Sequence, residues 1–443
     1  MSGLPEGWAW TTLESVAVLT TGSTPSTKNE GFYGGDIPFV KPGDLDRRAP
    51  IQCTDQSLTG EGAEQARLLR AGAVLVSCIG TLGKVGIAGV ELASNQQINA
   101  AEFRPNVTDD RYGYYVCRTL KPWMESEASA TTIAILNKGR FGEAPFPLAP
   151  LAEQKRIADK LDSVLARVDA CRDRLDRIPA LLKRFRQSVL AAATSGRLTE
   201  DWSGARPADE WRAVSLGEVA TGFSYGSAAK SAPDGLVPVL RMGNIQDGRV
   251  DWSDLVFTSN SEEIGKYRLV AGDVLFNRTN SPELVGKTAV FKGEREAIYA
   301  GYLIRIRCTE RLLPDYLNYC LGSPAGRDYC WRVKSDGVSQ SNINARKLAA
   351  FEFLLPTLAE QHEIVRRVET LFVFADRLEA RCAAARKQAG QLTPALLAKA
   401  FRGELVPQDP ADEPAAELLK RLAASRADAP KARRGKPRAS TGV

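Results

Sequence analysis

The sequence predicts an α+β protein in which one β-rich domain and one long α-helix each occur twice in tandem. Three observations carry this. Leu151-Ala152-Glu153-Gln154 recurs as Leu358-Ala359-Glu360-Gln361, an offset of 207 residues (358 − 151). The offset still holds where Ser195-Gly196-Arg197-Leu198 aligns with Arg402-Gly403-Glu404-Leu405. Behind each tetrapeptide runs a heptad of apolar residues, and ahead of each lies a region of short apolar runs broken by turn residues.

Residues 1–150 read as the first β-rich domain. Gly, Pro, Asn and Asp clusters separate runs such as Ile37-Pro38-Phe39-Val40 and Ala73-Val74-Leu75-Val76. One helix is expected over about 109–128, with Tyr112, Tyr115, Leu120 and Trp123 on one side. Residues 211–357 repeat this domain in weaker form. Trp8, Leu13 and Val16 match Trp211, Leu216 and Val219, and Ile37–Leu45 matches Val237–Ile245. Ala71-Gly72-Ala73-Val74-Leu75 matches Ala271-Gly272-Asp273-Val274-Leu275, and Asn137 matches Asn344. The drift of these offsets implies loop insertions between shared elements.

From Ile157 to Ala192 the apolar residues step by four and three, the seam of a coiled coil. Leu161, Val164, Val168 and Leu175 are core seam positions of the first helix (151–198). Val368, Leu371, Leu378 and Leu392 are those of the second (358–405). A helix of roughly 36 residues is about 54 Å long. Pro179 and Pro394 should kink their helices without ending them, since the seam stays in phase through both. Gly196 and Gly403 suit left-handed C-terminal caps. The seam fits an intramolecular two-helix coil; a pair of long core helices in one globular domain is the plainer alternative. Residues 199–210, with Pro207, form a polar linker. Residues 406–443 read as a short amphipathic segment (Ala415 to Leu422) followed by a disordered basic tail, dense in Arg and Lys from Arg426 to Arg438.

Composition is that of an ordinary globular protein, with 44% hydrophobic and 25% charged residues. A net charge of +6 permits a polyanionic partner without requiring one. Eight scattered cysteines contain no CxxC pair, which argues against zinc and fits free thiols in a reducing cytoplasm. No apolar run is long enough to span a membrane, and the N-terminal residues do not resemble a signal peptide.

Catalytic signals are weak. His362, the only histidine, sits on a charged helix face, which leaves no Ser-His-Asp triad. Gly286-Lys287-Thr288 ends like a P-loop, but Ser281 stands where the motif needs Gly. Gly80, Gly83 and Gly86 have the wrong spacing for a dinucleotide fingerprint. No Asn-Pro-Pro-aromatic tetrapeptide is present. No catalytic or metal-ligating residue is therefore assigned. What remains suits nucleic-acid binding, because Asn, Gln and Arg pair with base edges while Lys, Ser and Thr suit phosphates. Candidates in the first domain are Lys41, Arg47, Arg48, Thr81, Lys84, Asn95 and Gln96. Those in the second are Arg241, Asn244, Arg278, Thr279, Asn280, Lys287, Gln340 and Asn342.

The chain resembles the DNA-specificity subunit of type I restriction–modification systems. The resemblance covers residues 1 to about 405. It rests on Pro150-Leu151-Ala152-Glu153-Gln154 and its partner at 358–361, on the helix-end strings Ala193–Leu198 and Ala400–Leu405, and on the openings at Trp8 and Trp211. The second copy departs in having Thr357 where the first has Pro150, and the basic tail is extra. The resemblance implies two target recognition domains, each reading half of a split sequence in double-stranded DNA. It implies that the two long helices pack as an antiparallel coiled coil, fix the spacing of the half-sites and carry two methyltransferase subunits. A restriction subunit with translocase activity completes the complex. S-adenosylmethionine, ATP and magnesium belong to those partners, and this chain is expected to hold no cofactor. Weak similarity between the domains predicts unlike half-sites, about one helical turn apart (~34 Å) or a comparable rotation.

Overall fold

The computed structural model describes residues 3–128, 133–202, 211–338 and 340–427. Most of the expected linker (203–210) and the basic stretch beyond residue 427 lie outside the described residues. The chain divides into two compact units, Met1–Asp173 with Arg386–Val443, and Arg174–Ala385.

In the first unit, the central strand Val74–Ser77 is buried on both faces, which is why it reads as an unbroken apolar run. It pairs antiparallel with Val85–Ile87 on one side and Ile98–Phe103 on the other, and Ala17–Thr21 closes the four-stranded sheet. A second sheet orders Ser57–Leu58, Tyr33–Val40 and Ala93–Ser94, the last pair parallel. Ala9–Thr12 pairs with Pro145–Leu148 and so ties the domain's beginning to its end.

The second unit repeats this plan. Ala220–Tyr225, Leu303–Cys308, Val274–Asn277 and Thr288–Val290 form the four-stranded sheet in the same order. Val256–Thr258, Val237–Leu240 and Ile298–Tyr299 form the three-stranded one, again with one parallel pair. Arg212–Ser215 pairs with Glu352–Leu355. Two elements are more developed than among the described residues of the first unit: a hairpin of Ile245–Gln246 and Arg249–Val250, and a ribbon of Thr279–Asn280, Ser341–Asn342 and Ser335–Asp336, of which the first unit shows the single bridge Ile79–Ile135.

The long helices run Leu151–Thr194 and Leu358–Ala400, continuous through Pro179 and Pro394. Gly196 (φ 81°) and Gly403 (φ 74°) adopt the left-handed conformation just past each end. Each unit's core takes the start of one helix and the end of the other. In the first, Ile157 and Leu161 pack with Leu397 and Ala400 around Trp8, Tyr112 and Phe146. In the second, Ile364 and Val368 pack with Leu190 and Ala193 around Leu216, Tyr316 and Phe351. These sets are related by the 207-residue offset. The start of one helix can lie beside the end of the other only if the two run antiparallel. Each fully buried Leu or Ile contributes about 1.5–3 kcal/mol, so these ends anchor the helices to their domains.

Interhelical polar contacts recur with roles exchanged. Arg172 donates to the Ala389 carbonyl at 2.7 Å and to Thr393 Oγ1 at 3.2 Å. Arg186 donates to Asp376 at 2.6 Å and Glu379 at 3.0 Å. Position 172 corresponds to 379 and 186 to 393, so the same crossing uses the cation from the first helix in both units.

Three expectations need correction. Residues 109–128 form two helices, Asp110–Cys117 and Lys121–Glu127, because Pro122 cannot continue the first and instead opens the second. Leu392 is 47% exposed and leaves the seam, whose buried residues there are Ala389, Leu397 and Ala400. A straight helix drifts about 20° per heptad against a 3.5-residue repeat, so a strict heptad count overruns. Among the other seam residues Leu161, Val168 and Val368 are buried, while Val164, Leu175, Leu371 and Leu378 are half-buried. Finally, the amphipathic segment expected at Ala415 to Leu422 does form, but it is longer than expected and is packed on the first unit. Ala415–Ala427 is helical, Ala415, Leu418 and Leu422 are buried, and Ala415 N–H donates to the Gly7 carbonyl at 2.8 Å. Arg156 on the first long helix pairs with Asp412 at 2.6 Å. The three apolar residues share one helical stripe, and Ala415 and Leu422 join the first core with Leu419 packed against it.

Candidate nucleic-acid interface

The twin Leu-Ala-Glu-Gln segments are fasteners. Glu153 accepts the Trp8 indole N–H at 3.0 Å, and Glu360 accepts that of Trp211 at 3.1 Å. Each tryptophan meets a tyrosine edge-on, Tyr112 or Tyr316, at 6.4 Å between ring centroids. Gln154 accepts from Asp109 N and donates to the carbonyls of Val107 and Ala149. Gln361 does the same with Leu313 N, Arg311 and Pro356. All four Glu and Gln side chains are buried, so each helix start is locked into the domain that precedes it.

A second fastening recurs at the loops. Arg48 reaches Asp173 at 2.7 Å and Asp169 at 3.7 Å on the first long helix. Arg249, at the hairpin of the second domain, reaches Asp376 at 3.1 Å on the second helix. Asp169 and Asp376 correspond by the 207-residue offset, and Asp46 and Asp247, just before the two arginines, are the only described non-glycine residues with positive φ. Burial opposes ionisation of Asp376, but Arg186 and Arg249 hold its carboxyl below the ordinary value. The equivalence was readable in the sequence through the offset, yet Arg249 was missed.

In the second domain the structure gathers Arg278, Thr279, Asn280, Gln340 and Asn342 at the three-stranded ribbon. Asn342 Nδ2 donates to Thr279 Oγ1 at 2.8 Å, and Asn280 Oδ1 accepts from Ser281 N at 2.8 Å. The Arg278 guanidinium lies over the Tyr225 ring, 4.6 Å from its centroid. Tyr225 and Tyr302, both exposed, were not foreseen. Lys287 lies apart and donates to Gln246 at 2.8 Å, while Arg241 pairs with Asp254 at 3.0 Å. Asn244 is 2% exposed and spends its side chain on Arg241 N and the Asp251 and Asp254 carbonyls, so it shapes a turn and has no free edge.

In the first domain Thr81 is exposed and Lys84 half-buried on one tight loop, fixed by Ser77 Oγ accepting from Lys84 N. Gln96 is exposed and accepts from Thr24 Oγ1. Asn95 is buried and bound to Gln97 through both side-chain atoms, again a turn residue. Lys41 is exposed, Arg47 pairs with Asp44, and Arg48 is committed to the helix as described. Among the described residues no cluster of His, Cys, Asp and Glu could hold a metal ion, and no helix is long and apolar enough to cross a membrane.

Two β-rich domains of one topology, each seated on an antiparallel helix pair, define the class. The type I restriction modification DNA specificity domain matches residues 5–180 and 208–382. The chain is 37% identical over 318 residues to the type I restriction enzyme EcoKI specificity subunit of Escherichia coli K12, covering 69% of this chain and 68% of that one. It is 31% identical to the StySPI specificity subunit of Salmonella potsdam, over 96% of both chains. Among solved structures, the HsdS subunit from Thermoanaerobacter tengcongensis matches with a TM-score of 0.59 at 21% identity, over 90% of this chain and 98% of that one. A chain from a study of type I R-M complex assembly matches with a TM-score of 0.67 at 20% identity, over 91% and 100%. The chain belongs to the type I restriction–modification DNA specificity family and is a specificity subunit.

Proposed function

We propose that this chain reads a bipartite, asymmetric target in double-stranded DNA, one half per domain, for a type I complex. Residues 1–150 and 211–357 are the two target recognition domains, and 151–198 and 358–405 the helical ruler between them. The observation that carries this reading is one β-rich fold used twice, fastened alike to the helices yet unlike in its polar ends. The ribbon with Arg278, Thr279, Asn280, Gln340 and Asn342 supplies base-edge donors and acceptors for the second half-site. Thr81 and Gln96 serve the first, with Lys41, Lys84, Arg241 and Lys287 as phosphate contacts. Two modification subunits dock along the helices and supply S-adenosylmethionine chemistry, and restriction subunits with ATP and magnesium complete the assembly. This chain contributes recognition and no catalysis, in the cytoplasm. Methylation profiling of host DNA with and without the protein tests this. The expected result is a single split motif with unlike halves that vanishes with the protein; a palindromic motif, or none, would overturn it.

A further inference from the structure

The two domains match element for element, so chemical differences at equivalent backbone positions are informative. Cys78 N–H donates to the Gln97 carbonyl at 2.8 Å, and the Cys78 carbonyl accepts from Leu136 N. Arg278 N–H donates to the Tyr302 carbonyl at 3.0 Å, and its carbonyl accepts from Ile343 N. These are the same two bonds at the same place in the fold. Thr21 and Tyr225 likewise end equivalent strands, paired with Asn99 and Ile304. Where the first domain has Cys78, Gln97 and Thr21, the second has Arg278, Tyr302 and Tyr225. Cys78 is buried and neutral, its thiol pushed up to about 12 by burial.

Arg278 is uncompensated among the described residues. Elsewhere in the same domain Arg241, Lys292, Arg307 and Lys334 each have a carboxylate partner, whereas among the described residues Arg278, like Lys287, has none. Arg278 has instead the Tyr225 ring and two contacts at the long limit, Gly301 O at 3.5 Å and Asn342 Oδ1 at 3.4 Å. Its buried Nε has no partner. A guanidinium held against a ring, partly desolvated and short of acceptors, is pre-organised for a strong external acceptor pair. Its surroundings are amides and aromatic rings, which suit a base edge better than a phosphate.

We propose that Arg278, positioned by Tyr225, reads a guanine in the half-site of the second domain, and that the first domain makes no arginine contact at the equivalent point. The O6 and N7 acceptors of guanine match the paired donors of the guanidinium. This rests on the reading of the chain as a split-site DNA reader. The test is the methylome of cells carrying the complete complex with wild-type, Arg278→Ala, Arg278→Lys, Tyr225→Phe or Tyr225→Leu specificity subunit, with Cys78→Ala as the first-domain control. Arg278→Ala should relax one G·C position in one half-site, lowering discrimination there roughly tenfold to a hundredfold. The other half and the spacer should stay unchanged. Tyr225→Leu should relax the same position and Tyr225→Phe should not; Cys78→Ala should leave the motif intact. Should Arg278→Ala abolish methylation, Arg278→Lys and Tyr225→Leu decide, since both keep the fold's bulk. An unchanged motif in the variants, relaxation at an A·T position, or uniform weakening across all sites as for a phosphate contact would each overturn the proposal. A wild-type complex that yields no split motif would instead sink the underlying reading.

Discussion

Trp8 donates its indole N–H to Glu153 Oε2 at 3.0 Å, and the other oxygen of that carboxylate, Oε1, is buried without a hydrogen-bond partner. The equivalent carboxylate in the second unit is better served: Trp211 holds one oxygen of Glu360 and Thr199 Oγ1 donates to the other at 2.7 Å. Removing the indole donor should therefore cost more in the first unit. Trp8→Phe strips the only side-chain donor that this buried carboxylate has among the described residues and should destabilise that unit by about 2–3 kcal/mol. Trp211→Phe leaves Thr199 in place and should cost about 1 kcal/mol less. Denaturant midpoints of the two variants check the ordering; equal losses would refute it.

The cause of the difference is readable in the sequence. At the 207-residue offset Thr199 corresponds to Val406, which packs against the first core and has no donor. Burial consequently pushes the Glu153 carboxyl up, against the lowering effects of Trp8 and Arg156. A carboxyl whose folded pKa is raised contributes most below its unfolded value, and that contribution is lost as pH rises through the folded pKa. Val406→Thr should stabilise the first unit by about 1 kcal/mol above that pKa and by less at acid pH, where Glu153 is protonated. Thermal unfolding across the acid-to-neutral range measures this; a gain that grows on acidification would contradict it.

Arg48 was a candidate DNA contact in the sequence, and the structure instead binds it to Asp173 and Asp169. A residue that neutralises a phosphate steepens the salt dependence of binding by about one unit of slope. Arg48→Ala should leave the slope for DNA binding by the complex unchanged, whereas Lys84→Ala should lower it. The stability cost of Arg48→Ala should stay within about 1 kcal/mol, since the pair is half exposed.

What the sequence disclosed and what it hid follow from the range of the interactions. Periodicity and offset expose elements, so the helices, their glycine caps and the doubled β-rich fold were legible. The Leu-Ala-Glu-Gln segments were visible as a repeat, but not as fasteners, because the partners of Glu153 and Gln154 lie 145 and 47 residues upstream. Asn95 and Asn244 show the opposite error. Their residue type suits base readout, and only the folded turn reveals that their amides are already spent. The pairing of Arg278 with Tyr225 is likewise a product of strand register, which no local pattern encodes.

The cysteines offer a test of the partner surface. All eight are free, and burial raises the thiols of Cys78 and Cys308 to about 12 and Cys330 to about 11, so they are protonated and unreactive near neutral pH. Cys53 and Cys171 are exposed. Cys53 lies in a loop of the first domain, and Cys171 lies on the first long helix, beside Arg172, which bridges to the second helix. Alkylation of the isolated chain at mildly alkaline pH should modify these two first. If modification subunits dock along the helices as proposed, assembly should slow labelling of Cys171 and leave that of Cys53 largely unaltered. Mass spectrometry of the labelled peptides reads both rates in one experiment. Protection of Cys53 alone would place the partners on the domain instead of the helix.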